Sequence, residues 1–178
     1  MTKDIYQNIY EKHDYYGNAE IDRCPGVRLM PLYQHHLIPK VLDIGCGRGH
    51  TCKALNESGI AATGIDLVSL NNGMQVGDAT QPLDMSDYSS VVCIDVIEHL
   101  TDVQVEGLFN NMLKVKRQAF SIFWGSDIVD GVQLHINQKR HSEWRKIIEA
   151  KFKIIEDVET TYNGKPQPRQ RLYLTETK

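Results

Sequence analysis

The chain has 178 residues, of which 41% are hydrophobic and 24% charged, with a formal net charge of −3. That length suits one domain with a buried core, and the mild acidity argues against the many phosphate contacts of tight nonspecific nucleic-acid binding. No apolar run approaches the ~20 residues of a membrane span. The polar start Met1-Thr2-Lys3-Asp4 also lacks the apolar centre of a secretory signal, so no membrane partner and a cytoplasmic location are expected.

The first 38 residues carry Tyr6, Tyr10, Tyr15, Tyr16 and Tyr33 on weak helical periodicity, which suggests a helical cap or lid. From residue 40 to 178 strands and helices alternate, as in one α/β core. Residues 41–44 read as a strand running into Gly45-Cys46-Gly47-Arg48-Gly49. A helix over 50–58 follows, with Gly59 as its stop. Residues 60–65 form a second strand ending at Asp66. Asn71-Asn72-Gly73 then connects it, almost without a helix, to a short third strand at 74–76. The apolar run 91–94 fits a buried parallel strand. Thr101 and Gln104 fit a capping box ahead of a helix that carries Val105, Leu108, Phe109 and Met112 on one face. Residues 119–124 are a fifth strand, and Ser142 is a candidate cap for a helix with Trp144, Ile147 and Ile148 inward. Strands at 152–158 and 171–175 follow each other without a helix, so they can pair antiparallel. The expected fold is α/β, a seven-stranded mostly parallel sheet with helices on both faces and an antiparallel final strand.

The glycine loop between the first strand and its helix lets a ligand approach the backbone. Its spacing is G-x-G-x-G, and His50 stands where the dinucleotide fingerprint has its last glycine. Asp66 lies 21 residues after Gly45, at a strand end, where a carboxylate can accept from both hydroxyls of a ribose. Gly77-Asp78-Ala79 follows the third strand, where a carboxylate can accept from an adenine amine. Together these describe a site for an adenosine without a pyrophosphate. No G-x-x-x-x-G-K-[ST] loop for a nucleoside triphosphate is present. The four cysteines form no CxxC pair and no zinc-site spacing, and are expected to be reduced.

Residues 41–49, Gly64-Ile65-Asp66, Gly77-Asp78-Ala79 and Asp95-Val96-Ile97-Glu98-His99-Leu100 resemble the ordered motifs of the Rossmann-like (class I) S-adenosylmethionine-dependent methyltransferases. The resemblance covers about residues 40 to 178. It implies S-adenosylmethionine as cofactor. Asp43 and the Gly45 backbone would hold the methionine amino group, and Cys46, Gly47 and Gly49 would line the loop against which the cofactor lies. Asp66 and Leu67 would meet the ribose, Asp78 and Ala79 the adenine, and Asp95 the methionine end or the substrate. Three places depart from the family pattern: the missing helix after the second strand, Ser89-Ser90 ahead of the fourth, and Lys114-Val115-Lys116-Arg117-Gln118 ahead of the fifth.

The candidate bases are His99, after the fourth strand, and His135, in a segment after the fifth that should overhang the substrate side. His13, His35, His36, His50 and His141 are assigned to the surface. Asp95-x-x-Glu98-His99 is similar to the Glu-x-x-Glu-His motif with which some methyltransferases bind a divalent metal. Here Asp replaces the first Glu, and no metal is expected. The chain lacks the Asn/Asp-Pro-Pro-aromatic motif of DNA amino methylation and the Pro-Cys nucleophile of cytosine methylation. The expected substrate is therefore a small molecule methylated on O or N. RNA or protein methylation, or a non-catalytic cofactor-binding subunit, are the alternatives. The first 38 residues and residues 125–141 are expected to close over the substrate.

Overall fold

The computed structural model describes residues 3–12, 24–70 and 73–178. Among the described residues, the helices α1 (Lys3–Lys12) and α2 (Pro25–Tyr33) precede the sheet. The core then runs β1 (Val41–Ile44), α3 (His50–Glu57), β2 (Ala62–Asp66), β3 (Gln75–Val76), β4 (Ser90–Ile94), α4 (Asp102–Met112) and β5 (Arg117–Phe123). A small antiparallel hairpin, β6 (Ile128–Val129) and β7 (Val132–Gln133), precedes α5 (His141–Lys151), β8 (Phe152–Tyr162) and β9 (Lys165–Thr177).

The seven-stranded sheet has the order β3-β2-β1-β4-β5-β9-β8. Pairing is parallel from β3 through β5, whereas β9 runs antiparallel to both β5 and β8. The chain winds outward from β1 to β3, then returns to β4 on the other side of β1. That reversal opens a crevice at the carboxyl ends of β1 and β4, where open α/β sheets receive ligands.

Alternation along the strands feeds two cores. Leu42, Ile44, Val91, Cys93, Phe120 and Tyr173 face α4 and α5, meeting Leu108, Phe109, Trp144 and Ile148. Val41, Val92, Ala119, Leu172 and Leu174 face the opposite way, against Leu29 and Tyr33 of α2 and Leu55 of α3. Tyr33 is thus a core residue, its hydroxyl donating to the Gly26 carbonyl at 2.8 Å. Tyr15 and Tyr16 lie outside the described residues.

The Thr101 capping box forms: the Thr101 hydroxyl accepts from the Gln104 N–H, and the Gln104 amide oxygen accepts from the Thr101 N–H. Ser142 does not cap α5. Arg140 occupies that position, and Glu143 reaches back to accept its backbone N–H at 2.9 Å. His36, assigned to the surface from sequence, is 5% exposed because its Nε2 pairs with the Thr175 carbonyl at 2.9 Å. None of the described helices is long and apolar enough to cross a membrane.

Candidate functional site

A cavity of about 420 Å³ opens at the carboxyl edge of the sheet. Its wall includes Asp43, Gly45, Cys46, Gly47, Asp66, Leu67, Asp78, Ala79, Asp95 and His99. Of the candidate cofactor-binding residues and bases, Gly49 and His135 are not on the wall. Gly49 instead starts α3 in a left-handed conformation at φ 78°, and His135 stands behind His99. His50, assigned to the surface, is on the wall with the neighbouring Arg48 and Thr51. From above, α1 contributes Lys3, Tyr6 and Tyr10.

The strand ends and glycine loop are braced by the same carboxylates that face the cavity. Asp66 accepts from the Gly47 N–H at 2.8 Å and the Val68 N–H at 3.0 Å, so it ties the end of β2 to the glycine loop. Burial raises its pKa, an effect those backbone bonds oppose. Gly45 has φ 73°, and a Cβ there would lie 2.4 Å from Val96 Cγ2, so only glycine fits. Asp78 accepts from the Thr80 N–H at 2.9 Å and the Thr80 hydroxyl at 2.6 Å, closing a local turn. Asn111 of α4, 2% exposed, holds that turn by donating to the carbonyls of Ala79 and Gln81.

Asp43 points to the α3 side of the sheet, where it is 3% exposed and accepts a long 3.6 Å bond from the Cys52 thiol. Burial pushes its pKa up to about 7; the Cys52 bond lowers it and the nearby Asp66 adds to the rise. A cation arriving here would relieve that penalty.

On the other side of the cavity the side chains come from distant parts of the chain. His99 lies at the end of a 3-10 turn, Ile97–His99, with its ring edge-on to Tyr6 at 5.9 Å and to His135 at 4.7 Å. His99 Nδ1 is 3.1 Å from the Leu134 carbonyl, and His135 Nδ1 is 2.8 Å from the Gly125 carbonyl. A carbonyl only accepts, so both rings carry hydrogen on Nδ1 and, when neutral, a lone pair on Nε2. Burial, reinforced by His135, lowers the His99 pKa to about 4, so its ring is neutral at pH 7. Glu98 is fully buried; its Oε1 accepts the Phe123 N–H at 3.0 Å, while Oε2 has no partner among the described residues. Burial, with Asp95 as a lesser cause, raises its pKa well above the usual carboxylate range.

Ligand atoms of Glu98, His99 and His135 lie within 4.8 Å of one another. The unpartnered Glu98 oxygen and two imidazole nitrogens are donors suited to a divalent transition metal. Asp95, which the motif in the sequence pairs with Glu98 and His99, is engaged elsewhere. Its carboxylate takes bonds from Ser121 and Gln170.

A family model described as a methyltransferase domain matches residues 19–123. Ubiquinone biosynthesis O-methyltransferase from Saccharophagus degradans is 32% identical over 79 residues, which cover 35% of this chain and 34% of that protein. The match therefore spans about a third of that relative's length. Among solved structures, the 1,6-didemethyltoxoflavin-N1-methyltransferase of Burkholderia thailandensis, with bound 1,6-didemethyltoxoflavin and S-adenosylhomocysteine, superimposes with a TM-score of 0.75 at 13% identity, covering 98% of this chain and 86% of that one. Magnesium protoporphyrin IX methyltransferase from Synechocystis PCC 6803, with bound S-adenosylhomocysteine, gives 0.67 at 16% identity, covering 99% and 100%.

Proposed function

As this chain belongs to the methyltransferase-domain family, we propose that it transfers the methyl group of S-adenosylmethionine to an oxygen or nitrogen atom of a small molecule. The observation that carries the reading is the single cavity wall on which Asp43, the glycine loop, Asp66, Asp78, Asp95 and His99 meet. Its volume is of the size that small-molecule sites have.

The residues divide the cofactor among them. Asp66 accepts from the ribose hydroxyls, while Leu67 packs beside the sugar. Asp78 and Ala79 meet the adenine. Asp43 and the Gly45 backbone hold the ammonium of the methionine moiety, and Arg48 and Lys3, cations on the same wall, face its carboxylate. Gly47 lets the cofactor lie close to the loop. Asp95, at the end of β4, contacts the amino-acid end.

Transfer is an in-line displacement. A lone pair of the acceptor attacks the methyl carbon, the carbon–sulfur bond breaks, and its electrons leave sulfur as a neutral thioether. Holding the two reactants in line contributes as much as ~7–11 kcal/mol. Where the acceptor is a hydroxyl, its proton passes to Nε2 of His99, whose lone pair is already free because Nδ1 is committed to Leu134. His135 fixes the His99 ring from behind.

A second reading adds a divalent ion held by Glu98, His99 and His135, favoured by the unpartnered Glu98 oxygen and the 4.8 Å convergence. Such an ion would lower the pKa of an acceptor hydroxyl. Both readings are tested by incubating the protein with methyl-labelled cofactor and pools of metabolites, sugars, RNA and protein, with chelator or with added Mg²⁺ or Zn²⁺. Label in the metabolite or sugar pool despite chelator supports the metal-free reading. Label appearing there only with a metal supports the second, and label confined to RNA or protein contradicts the small-molecule assignment.

A further inference from the structure

Gln170 carries none of the motifs and lies 75 residues from Asp95 in sequence. The β5–β9 pairing places it opposite Phe123, at the end of the sheet where β4 also ends. Its side-chain nitrogen donates to both Asp95 carboxylate oxygens, at 2.7 and 2.8 Å.

The far end of the amide settles its orientation. Gln170 Oε1 accepts from the Thr160 hydroxyl at 2.9 Å and from the Arg28 guanidinium at 3.2 Å. A flipped amide would present N–H groups to the Arg28 donor. Arg28 is itself anchored, donating to the Thr161 carbonyl at 2.6 Å and lying over the Tyr162 ring. From β5, the Ser121 hydroxyl donates to Asp95 Oδ1 at 2.5 Å and accepts the Asp95 N–H at 3.1 Å. That pair braces a residue whose φ is 54°. Gln170 is 2% exposed and Thr160 fully buried. A buried polar network of this kind stabilises a fold less than an apolar core of the same volume would, but fully paired it fixes one geometry.

We propose that Gln170 is a positioning residue, aiming the Asp95 carboxylate at the cavity, with Arg28 of α2 setting the direction of its amide. The proposal rests on the assignment of Asp95 to the amino-acid end of the cofactor. Supporting groups of this kind hold a site's contacts to within fractions of an ångström. They also explain why Asp95 is not part of the Glu98, His99 and His135 cluster.

The test is titration of S-adenosylhomocysteine into the wild type, Gln170→Leu, Asp95→Asn and the double variant, with a ligand-free crystal structure of Gln170→Leu. Gln170→Leu should weaken binding about tenfold. Asp95→Asn should weaken it at least as much, and the double no further than Asp95→Asn alone, since both act through one contact. Gln170→Met keeps the length of the side chain but has no donor for the Asp95 carboxylate. It should match the Leu variant, and it supplies the crystal structure if Gln170→Leu does not fold. In either variant the Asp95 carboxylate should turn from its place on the cavity wall. Losses that add in the double variant, wild-type affinity in both Gln170 variants, or an unmoved carboxylate would overturn the proposal. If the wild type binds no S-adenosylhomocysteine yet Asp95 turns in the variant, the positioning stands and the methyltransferase reading falls.

Discussion

The two sides of the cavity are built in different ways. The side assigned to the cofactor is made from strand ends and the few residues after each one: 43–48 at the end of β1, Asp66 and Leu67 at the end of β2, and 77–80 after β3. Each group is delivered by its own segment, and part of the bracing is local, as in the turn that Asp78 makes with Thr80, while Asn111 holds that turn from α4. The side assigned to the acceptor is assembled from Tyr6 of α1, the turn at 97–99 and the segment around His135. Its geometry depends on contacts between residues far apart in the chain. The cofactor side should therefore tolerate changes on the acceptor side, and changes in catalysis should separate from changes in cofactor affinity.

The sharpest way to break that separation is His99→Ala. Removing the proposed base should lower methyl transfer to a hydroxyl by about 10²–10⁴. Affinity for S-adenosylhomocysteine should stay within about twofold, since surroundings without a lost partner change little. Single-turnover rates and calorimetry read the two effects. A parallel fall in cofactor affinity would mean that the two sides are one unit.

Asp66→Ala comes next. Losing charge-assisted bonds to two ribose hydroxyls should weaken cofactor binding by about 1.5–3 kcal/mol. Asp66 also holds the Gly47 N–H, so part of the loss will come from a looser glycine loop. Binding isotherms together with circular dichroism of the variant check it, and an unchanged affinity in a folded variant would place the ribose elsewhere.

A smaller effect follows from the Asp43 pKa of about 7. The ammonium of the cofactor favours the carboxylate form, so affinity should rise with pH through 7 and level off above it. The limiting slope is about tenfold per pH unit. The unliganded protein should show the opposite trend. The folded state holds the Asp43 proton more tightly than the unfolded chain, so this group's stabilisation is complete in acid and is lost as pH rises through 7. Asp43→Asn should flatten both curves relative to the wild type. A wild-type binding curve that is flat between pH 5.5 and 8.5 would contradict this.

The smallest expected change is Tyr6→Ala. Its ring lines the cavity from α1 and stands edge-on to His99. Losing it should raise the acceptor KM a few-fold with little change in cofactor affinity, an aromatic edge contact being worth about 0.5–1.5 kcal/mol. Full retention of KM would leave α1 as packing rather than a lid.

The same contrast explains what the sequence made legible. β1 at Val41–Ile44, the glycine loop and the Thr101 capping box depend on residues close together in the chain, and patterns of that range are readable. β9 runs from Lys165 through Pro166 and Pro168, residues that argue against a strand. It holds because its proline-bearing end lies at the hairpin, paired to only one neighbour. The burial of His36 depends on Thr175, and the bracing of Ala79 on Asn111. Arg48 and His50 lie in the glycine loop and at the start of α3, yet nothing in their spacing indicates that they face the cavity. Gln170 gives no local signal, since its partners Arg28, Asp95 and Thr160 meet it only through the fold.

The most direct test of the central claim is isothermal titration of the wild-type protein with S-adenosylmethionine, S-adenosylhomocysteine and a nicotinamide dinucleotide. Micromolar-scale binding of the first two and none of the third is expected, because the glycine loop lacks the last glycine of the dinucleotide fingerprint. No heat with either adenosyl ligand, together with tight binding of the dinucleotide, would contradict it.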